Sequence, residues 1–391
     1  TDTVKYARLA LELVPKDDHL GRGGATGLLG LAYWTSGELE SAHRTFAEGM
    51  ARVQKAGHVA DTISGAITLA DIRVAQGRLH EAMRTYEHAL QLALEQREPL
   101  LRGTADVHVG ISELHLEHND LHAAAQHLLS SKELGERTAF PQNRSRWCAA
   151  MARLRAVEGD LIGALDLLYE AERLYVRDFS PNVRPVTALK TRVWIAQGRL
   201  GEALDWARQQ GLSVENDLSY LREFEHVTFV RVLLSQYQRD HTDRSMLDAT
   251  GFLDRLLEAA EAGQRARSVI EILVLQALAQ QRQGDIPAAL LPLERALRLA
   301  EPEGFVRMFV DEGSSMRVLL ETAAKHRITP NYVHQLLMAF GKAEDRPLVN
   351  QGLINPLSDR ELEVLGLLGT DLNGPEIARQ LIVSLSTLRS H

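Results

Sequence analysis

The stretch IRVAQGRLHEAMRTY (Ile72–Tyr86) decides the fold. Apolar residues recur at helical spacing on both sides of Gly77: Leu69, Ile72 and Ala75 before it, Leu79, Ala82, Met83 and Tyr86 after it. Glycine ends the first helix because it accepts the left-handed conformation at little steric cost. Arg78 and Leu79 restart the chain as a second helix, and Ala82 is small enough to let the two helices approach closely. The pattern recurs as GELESA from Gly37, GRLHEA from Gly77, NDLHAA from Asn119, GDLIGA from Gly159, GRLGEA from Gly198 and GDIPAA from Gly284. Successive spacings are 40, 42, 40, 39 and 86 residues. The last is close to twice the others and predicts a degenerate copy near residue 240, where QRDHTDRSMLDAT stands. Each unit is a helical hairpin that cannot bury its own apolar face, so neighbours must stack. The expected fold class is all-α: a tetratricopeptide-like helical-hairpin solenoid with units longer than the usual 34 residues.

Bulk properties bound the function. The chain has 391 residues, 45% hydrophobic, with a formal net charge of -8 and a pI near 6.0. An acidic surface repels phosphate, so any DNA contact must come from a small local patch. No run of about 18 apolar residues occurs, so no membrane partner is expected. Cys148 is the only cysteine, which excludes an intrachain disulfide and fits a cytoplasmic location. The opening TDTVKYARLALELVP already reads as helix without an initiating Met, so a piece of a longer chain is expected.

After EPEGFVRMFVDEG (Glu301–Gly313) the pattern changes to two shorter helices, about Ser315–His326 and Pro330–Lys342, and then to a Pro- and Asn-containing linker, DRPLVNQGLINP (Asp345–Pro356). From Leu357 the chain reads LSDRELEVLGLLGTDLNGPEIARQLIVSLSTLRSH. Ser358 and Glu361 form a capping box. Asn373 caps a second helix with Pro375 in its first turn, and Ser384 caps a third. Two short helices joined by a tight turn make a helix-turn-helix, whose second helix enters the major groove.

On LSDRELEVL, EIARQL and VSLSTLRSH, this segment resembles the LuxR-type DNA-binding domain. The resemblance implies that Arg379 contacts the DNA backbone and that Thr387, Arg389 and Ser390 open the recognition helix. NGPEIA replaces the common SNKEIA, exchanging a basic residue for Pro375. In that family the recognition helix runs about two turns beyond the part matched up to His391 and a fourth, dimerising helix follows, so an incomplete domain is expected here. From Gly352 to His391 there are three Arg, no Lys and five Asp or Glu, a poor charge for binding phosphate.

Long helical repeats, then FVRMFVDEG, then a LuxR-type ending together resemble the MalT-like regulators. That resemblance implies a repeat domain that senses an inducer, a terminal domain that binds promoters, and an ATP-binding switch module ahead of the repeats. No G-x-x-x-x-G-K-[ST] loop occurs in this chain. The expected organisation is a repeat sensor domain over 1–302, helices capping the solenoid over 303–344, a linker over 345–356 and an incomplete LuxR-type helix-turn-helix over 357–391. The expected function is a transcriptional regulator in which a small-molecule inducer or protein partner in the concave groove controls DNA binding. The alternative is a peptide- or protein-binding repeat scaffold without DNA-binding activity of its own. Which groove residues bind ligand is not legible.

Other motifs carry less. GRGGATG (Gly21–Gly27) lacks the strand and the spacing of a dinucleotide loop and reads as a helix start. His108, His115, His118, His122 and His127 crowd one repeat, but Asn119-Asp120 between His118 and His122 is a turn, and surface or inter-helix histidines are expected rather than zinc ligands. No nucleophile motif occurs, and the pairs Asp311-Glu312 and Glu170 with Glu172 read as core or solvated-face positions. No enzyme, cofactor or metal is therefore expected. Among the aromatics Tyr33, Trp34, Tyr86, Trp147, Tyr169, Tyr175, Trp194, Trp206 and Tyr220, most should pack between helices, with a few opening into the groove. Promoter DNA is expected as the partner of the full-length protein, with weak or absent binding by this chain. A mobility-shift assay of the 391-residue chain at physiological salt checks this, and a tight, sequence-specific shift would contradict it.

Overall fold

The computed structural model describes residues 2–95, 101–177, 180–240 and 243–344. The chain divides into two units, Thr1–Asp345 and Arg346–His391. The second, and with it the helix-turn-helix expected from Leu357, lies outside the described residues. Those described form α-helices and short 3-10 turns, with no strand among them. In order the helices are α1 (Asp2–Leu13), α2 (His19–Ser36), α3 (Leu39–Lys55), α4 (Val59–Ala75), α5 (Leu79–Glu95), α6 (Thr104–Glu117), α7 (Leu121–Thr138), α8 (Asn143–Val157) and α9 (Leu161–Arg173). They continue with α10 (Val186–Ala196), α11 (Leu200–Gln209), α12 (Glu223–Asp240), α13 (Asp243–Ala262), α14 (Ala266–Arg282), α15 (Ile286–Ala300), α16 (Arg307–Val310), α17 (Gly313–Lys325) and α18 (Pro330–Glu344). Hairpins α2–α3, α4–α5, α6–α7, α8–α9, α10–α11, α12–α13 and α14–α15 stack in sequence as an all-α repeat solenoid.

The hairpin turns share one mechanism. Gly37, Gly77, Asn119, Gly159, Gly198 and Gly284 have φ between 63° and 88°. The N–H of each donates to the carbonyl three residues back, and the N–H of the next residue to the carbonyl five back of itself, as in Gly77 to Val74 (3.0 Å) and Arg78 to Arg73 (2.8 Å). This closes the orphan carbonyls at the helix end and turns the chain. Where the following residue is Asp, its side chain caps the next helix: Asp120 accepts from Ala123 N, Asp160 from Gly163 N and Asp285 from Ala288 N, all within 2.8–3.0 Å.

The recurring alanines Ala42, Ala82, Ala124, Ala164, Ala203 and Ala289 are all 0% exposed. The degenerate copy is present as well. Helices α12 and α13 flank residues 241–242, and Met246 and Ala249 occupy the Leu and Ala positions of the pattern, fully buried.

The first hairpin uses glycine to the same end. GRGGATG forms the opening turns of α2, and Gly23 in it, like Gly30 and Gly49, has a packing reason that the motif alone did not supply. A Cβ on Gly30 would lie 2.8 Å from the backbone nitrogen of Phe46, and one on Gly49 would lie 2.8 Å from the carbonyl oxygen of Gly23. Helices α2 and α3 therefore meet backbone to backbone.

The array turns back on its own beginning. Trp34 Nε1 of α2 donates to the Tyr220 hydroxyl (3.0 Å). A Cβ on Gly77 would lie 3.1 Å from Ala266 and from Arg267 N at the start of α14. Glu303, just past α15, accepts from His80 N (3.0 Å), and its carbonyl lies 3.1 Å from His118 Nε2. Val306 N donates to the carbonyl of Glu117 (3.0 Å). One hydrophobic core runs from Ile63 to Phe340.

Gly30→Ala is expected to destabilise the chain by about 1–2 kcal/mol, because overpacking against immobile backbone outweighs the helix propensity of alanine. Gly24 is exposed, and a Cβ added to it would have nothing within 4 Å. It is the control: Gly24→Ala should stabilise by about 0.5–1 kcal/mol. Urea unfolding midpoints read both.

Candidate functional site

The curvature of the array narrows the expected groove into a half-open cavity of about 340 Å³. The first helix of successive hairpins supplies the wall. Helix α4 contributes Ile67, Thr68 and Asp71; α6 Gly110, Glu113 and Glu117; α8 Arg146 and Arg153; α12 Glu223, Phe224 and Val227; α14 Arg267, Ser268 and Glu271. The connection from α9 to α10 adds Tyr175, Val176 and residues 181–184. Gly110 is required locally, since a Cβ there would overlap the Tyr86 ring. Tyr86 can thus cross over α6 and donate to Asp71 Oδ1 (3.0 Å).

The wall is heavily charged, and most of the charge is matched. Glu117, 1% exposed, accepts from Arg153 (2.6 Å), from Arg267 (3.3 Å) and from the backbone N–H of Met308 (2.9 Å). Burial alone would raise its pKa, but the two guanidinium groups and these hydrogen bonds outweigh that and bring it down to about 2. Glu271 is held low in the same way: burial opposes, while Arg192 (2.7 Å) and Arg231 (2.9 Å) prevail. Arg231 also binds Glu312 (2.7 Å) ahead of α17. Glu223 pairs with Arg265 (2.7 Å) and accepts from Ser268. Asp71 faces Arg146 (3.4 Å), yet burial still raises its pKa. These groups are engaged in buried hydrogen bonds and ion pairs. The arrangement suits binding.

The residues singled out from the sequence scatter. Arg379, Thr387, Arg389 and Ser390 lie outside the described residues. Of the aromatics, Trp34, Tyr86, Tyr175 and Tyr220 line the cavity, whereas Trp206 is buried in the main core and Trp147 packs between α7 and α8. The histidines separate into two contacts: His108 Nδ1 lies 2.8 Å from His127 Nδ1, with His115 stacked on His127, while His118 turns away toward His80 and Glu303. Among the described residues no group of three or more His, Cys, Asp or Glu is placed to hold a metal ion. Asp311, Glu312, Glu170 and Glu172 each have a cationic partner, namely Arg307, Arg231, Arg173 and Lys190. Cys148 is buried. No helix of the described residues is long and apolar enough to cross a membrane.

The arginines and glutamates of the wall do not stand out in the sequence. A signal is present all the same: Arg146 and Arg153 are seven apart, Glu113 and Glu117 four apart, and Arg267 and Glu271 four apart. Each pair sits on one face of a helix that is otherwise rich in buried apolar residues.

Comparison with known proteins follows the same lines. The family described as the MalT-like TPR region matches residues 1–326. The chain is 27% identical over 438 aligned positions to the HTH-type transcriptional regulator MalT of Serratia proteamaculans (strain 568), covering 99% of this chain and 44% of that protein. The chain therefore spans less than half the length of that relative. Among solved structures, the TPR domain of P58(IPK) matches at 14% identity over 88% of this chain and 99% of its own, with a TM-score of 0.23.

Glu117→Gln leaves Arg153 and Arg267 without their counter-charge and is expected to cost about 3–5 kcal/mol. Because the folded pKa of Glu117 lies below its ordinary 4.5, its contribution is full above pH 4.5 and is lost as pH falls through about 2. Acid unfolding followed by circular dichroism should be steep over that window in the parent chain and shallower in the variant.

Proposed function

The chain belongs to the MalT-like TPR region family, and from that premise we propose that it is the effector-sensing region of a transcriptional regulator. A small molecule occupies the cavity and biases the closed arrangement of the repeats. That bias passes to a LuxR-type DNA-binding segment over residues 357–391, in which Arg379, Thr387, Arg389 and Ser390 face DNA. Residues 303–344 cap the solenoid and 345–356 link it to that segment.

The observation that carries this reading is the span of the cavity wall. The wall draws on α2 at one end of the array and α14 at the other, so a molecule inside touches elements that are distant in sequence. A ligand shifts a conformational equilibrium only through a difference in affinity between states, and closure of the ring supplies such a difference. The volume of about 340 Å³ suits a metabolite-sized ligand better than the helical peptide of a scaffold reading.

The test is a metabolite screen by thermal shift on the 391-residue chain. A ligand at a hundred times its dissociation constant should stabilise by about 2.7 kcal/mol. The gain should vanish in Ala149→Phe, which fills the cavity from α8. If nothing in the panel stabilises the chain while a full-length regulator still answers its inducer, sensing resides elsewhere.

A further inference from the structure

We propose that Arg184 is the ligand-anchoring residue of the cavity and that the ligand it receives carries an anionic group, a carboxylate or a phosphate. This rests on the effector-binding reading above and specifies its chemistry.

The argument is one of matching charges. Among the cavity carboxylates, Glu117 is taken by Arg153 and Arg267, Glu271 by Arg192 and Arg231, Glu223 by Arg265, and Asp71 by Arg146 and the Tyr86 hydroxyl. Arg184 has the longest of the cavity pairings. Among the described residues the one carboxylate within 4.0 Å of it is Glu113, at 3.8 Å, beyond hydrogen-bond range. Its Nε is buried with no hydrogen-bond partner.

A guanidinium group with a buried N–H unsatisfied is expensive to maintain. Arg192 and Arg307 also carry a buried N–H without a partner, but each holds a carboxylate at hydrogen-bond distance, as do Arg153, Arg231 and Arg265. The surroundings of Arg184 are short of negative charge. Burial lowers its pKa, Arg267 and Arg153 lower it further, Glu113 opposes them, and the result is about 10.

Position and shape fit the role. Arg184 stands on the cavity wall at the end of the α9–α10 connection, over the ring of Phe224 (5.2 Å). Arg192 lies over the same ring at 3.9 Å, and such a cation–π contact is attractive for a guanidinium group. The planar fork then offers parallel N–H groups to a carboxylate or phosphate, the geometry in which arginine binds such anions best. Apolar and aromatic wall residues, Phe140, Phe224, Val227 and Leu189 among them, provide for an organic body behind the charge.

The experiment titrates three isosteric probes into the 391-residue chain by calorimetry at matched ionic strength: phenyl phosphate, phenylacetate and the neutral phenylacetamide. Saturable millimolar binding of phenyl phosphate or phenylacetate, weaker by about 10–100-fold in Arg184→Gln and partly kept in Arg184→Lys, supports the assignment, and the tighter of the two identifies the anion. Phenylacetamide binding as well as phenylacetate, with Arg184→Gln neutral to both, overturns the anion assignment and leaves the effector cavity standing. Failure of both anions to bind overturns the assignment as well, and the metabolite screen then judges the cavity separately. The melting temperature gives a second readout. Because Arg184 meets Glu113 only at 3.8 Å, Arg184→Gln should leave that temperature unchanged or raised, and a fall of several degrees would mark Arg184 as structural and overturn the proposal.

Discussion

Burial of a single carboxylate organises this molecule. Glu117 ends α6, and from there it binds a guanidinium of the next hairpin, a guanidinium of α14 and the backbone of the segment after α15. Its own carbonyl accepts from that same segment. A buried carboxylate needs all of this, because desolvation without compensation costs several kcal/mol. Satisfying it brings together residues separated by 36, 150 and 191 positions. A stack of hairpins need only contact its neighbours; here the end of the stack meets its beginning, and Glu117 is where they meet.

The cavity follows from that closure. The inner face of the array is made of first helices, and their charged residues point toward one another across the ring. Glu223, Glu271 and Glu312 repeat the logic of Glu117, each held by arginine from another element. Buried ion pairs of this kind add little net stability compared with apolar packing, but they penalise any arrangement that separates the partners. They define one closed geometry and make its opening a discrete event. On the proposed reading, this is the event that an effector biases.

The repeat and its turns were legible because they depend on local chemistry. Glycine or asparagine at the end of a first helix needs only its own φ and the carbonyls just behind it, and Ala82 or Ala289 needs only a helix crossing close by. The degenerate copy near residue 240 follows from spacing alone, and Met246 and Ala249 fill its positions. Even GRGGATG reads as helix, although its reason is a backbone contact with α3 that depends on Phe46 and Gly49. The site was much less legible. Trp34, Tyr86, Tyr175 and Tyr220 reach the cavity, but Trp206 and Trp147 look no different in sequence and are core. The charges at i+4 and i+7 spacing on α6, α8 and α14 mark an inner face only once the ring is known to close.

The sequence by itself determined the unit: its length, its capped turn, its small-residue contact and the number of its copies. These are properties of neighbouring residues, which a repeating pattern records directly. Tertiary structure alone decided that the array curves far enough for α14 to meet α4 and α6, that the inner groove narrows to a cavity, and that Arg184 meets its carboxylate, Glu113, only at 3.8 Å. Curvature accumulates from small rotations at each hairpin interface, and charge matching depends on which residues face each other after that sum. Neither quantity is stored in any single repeat.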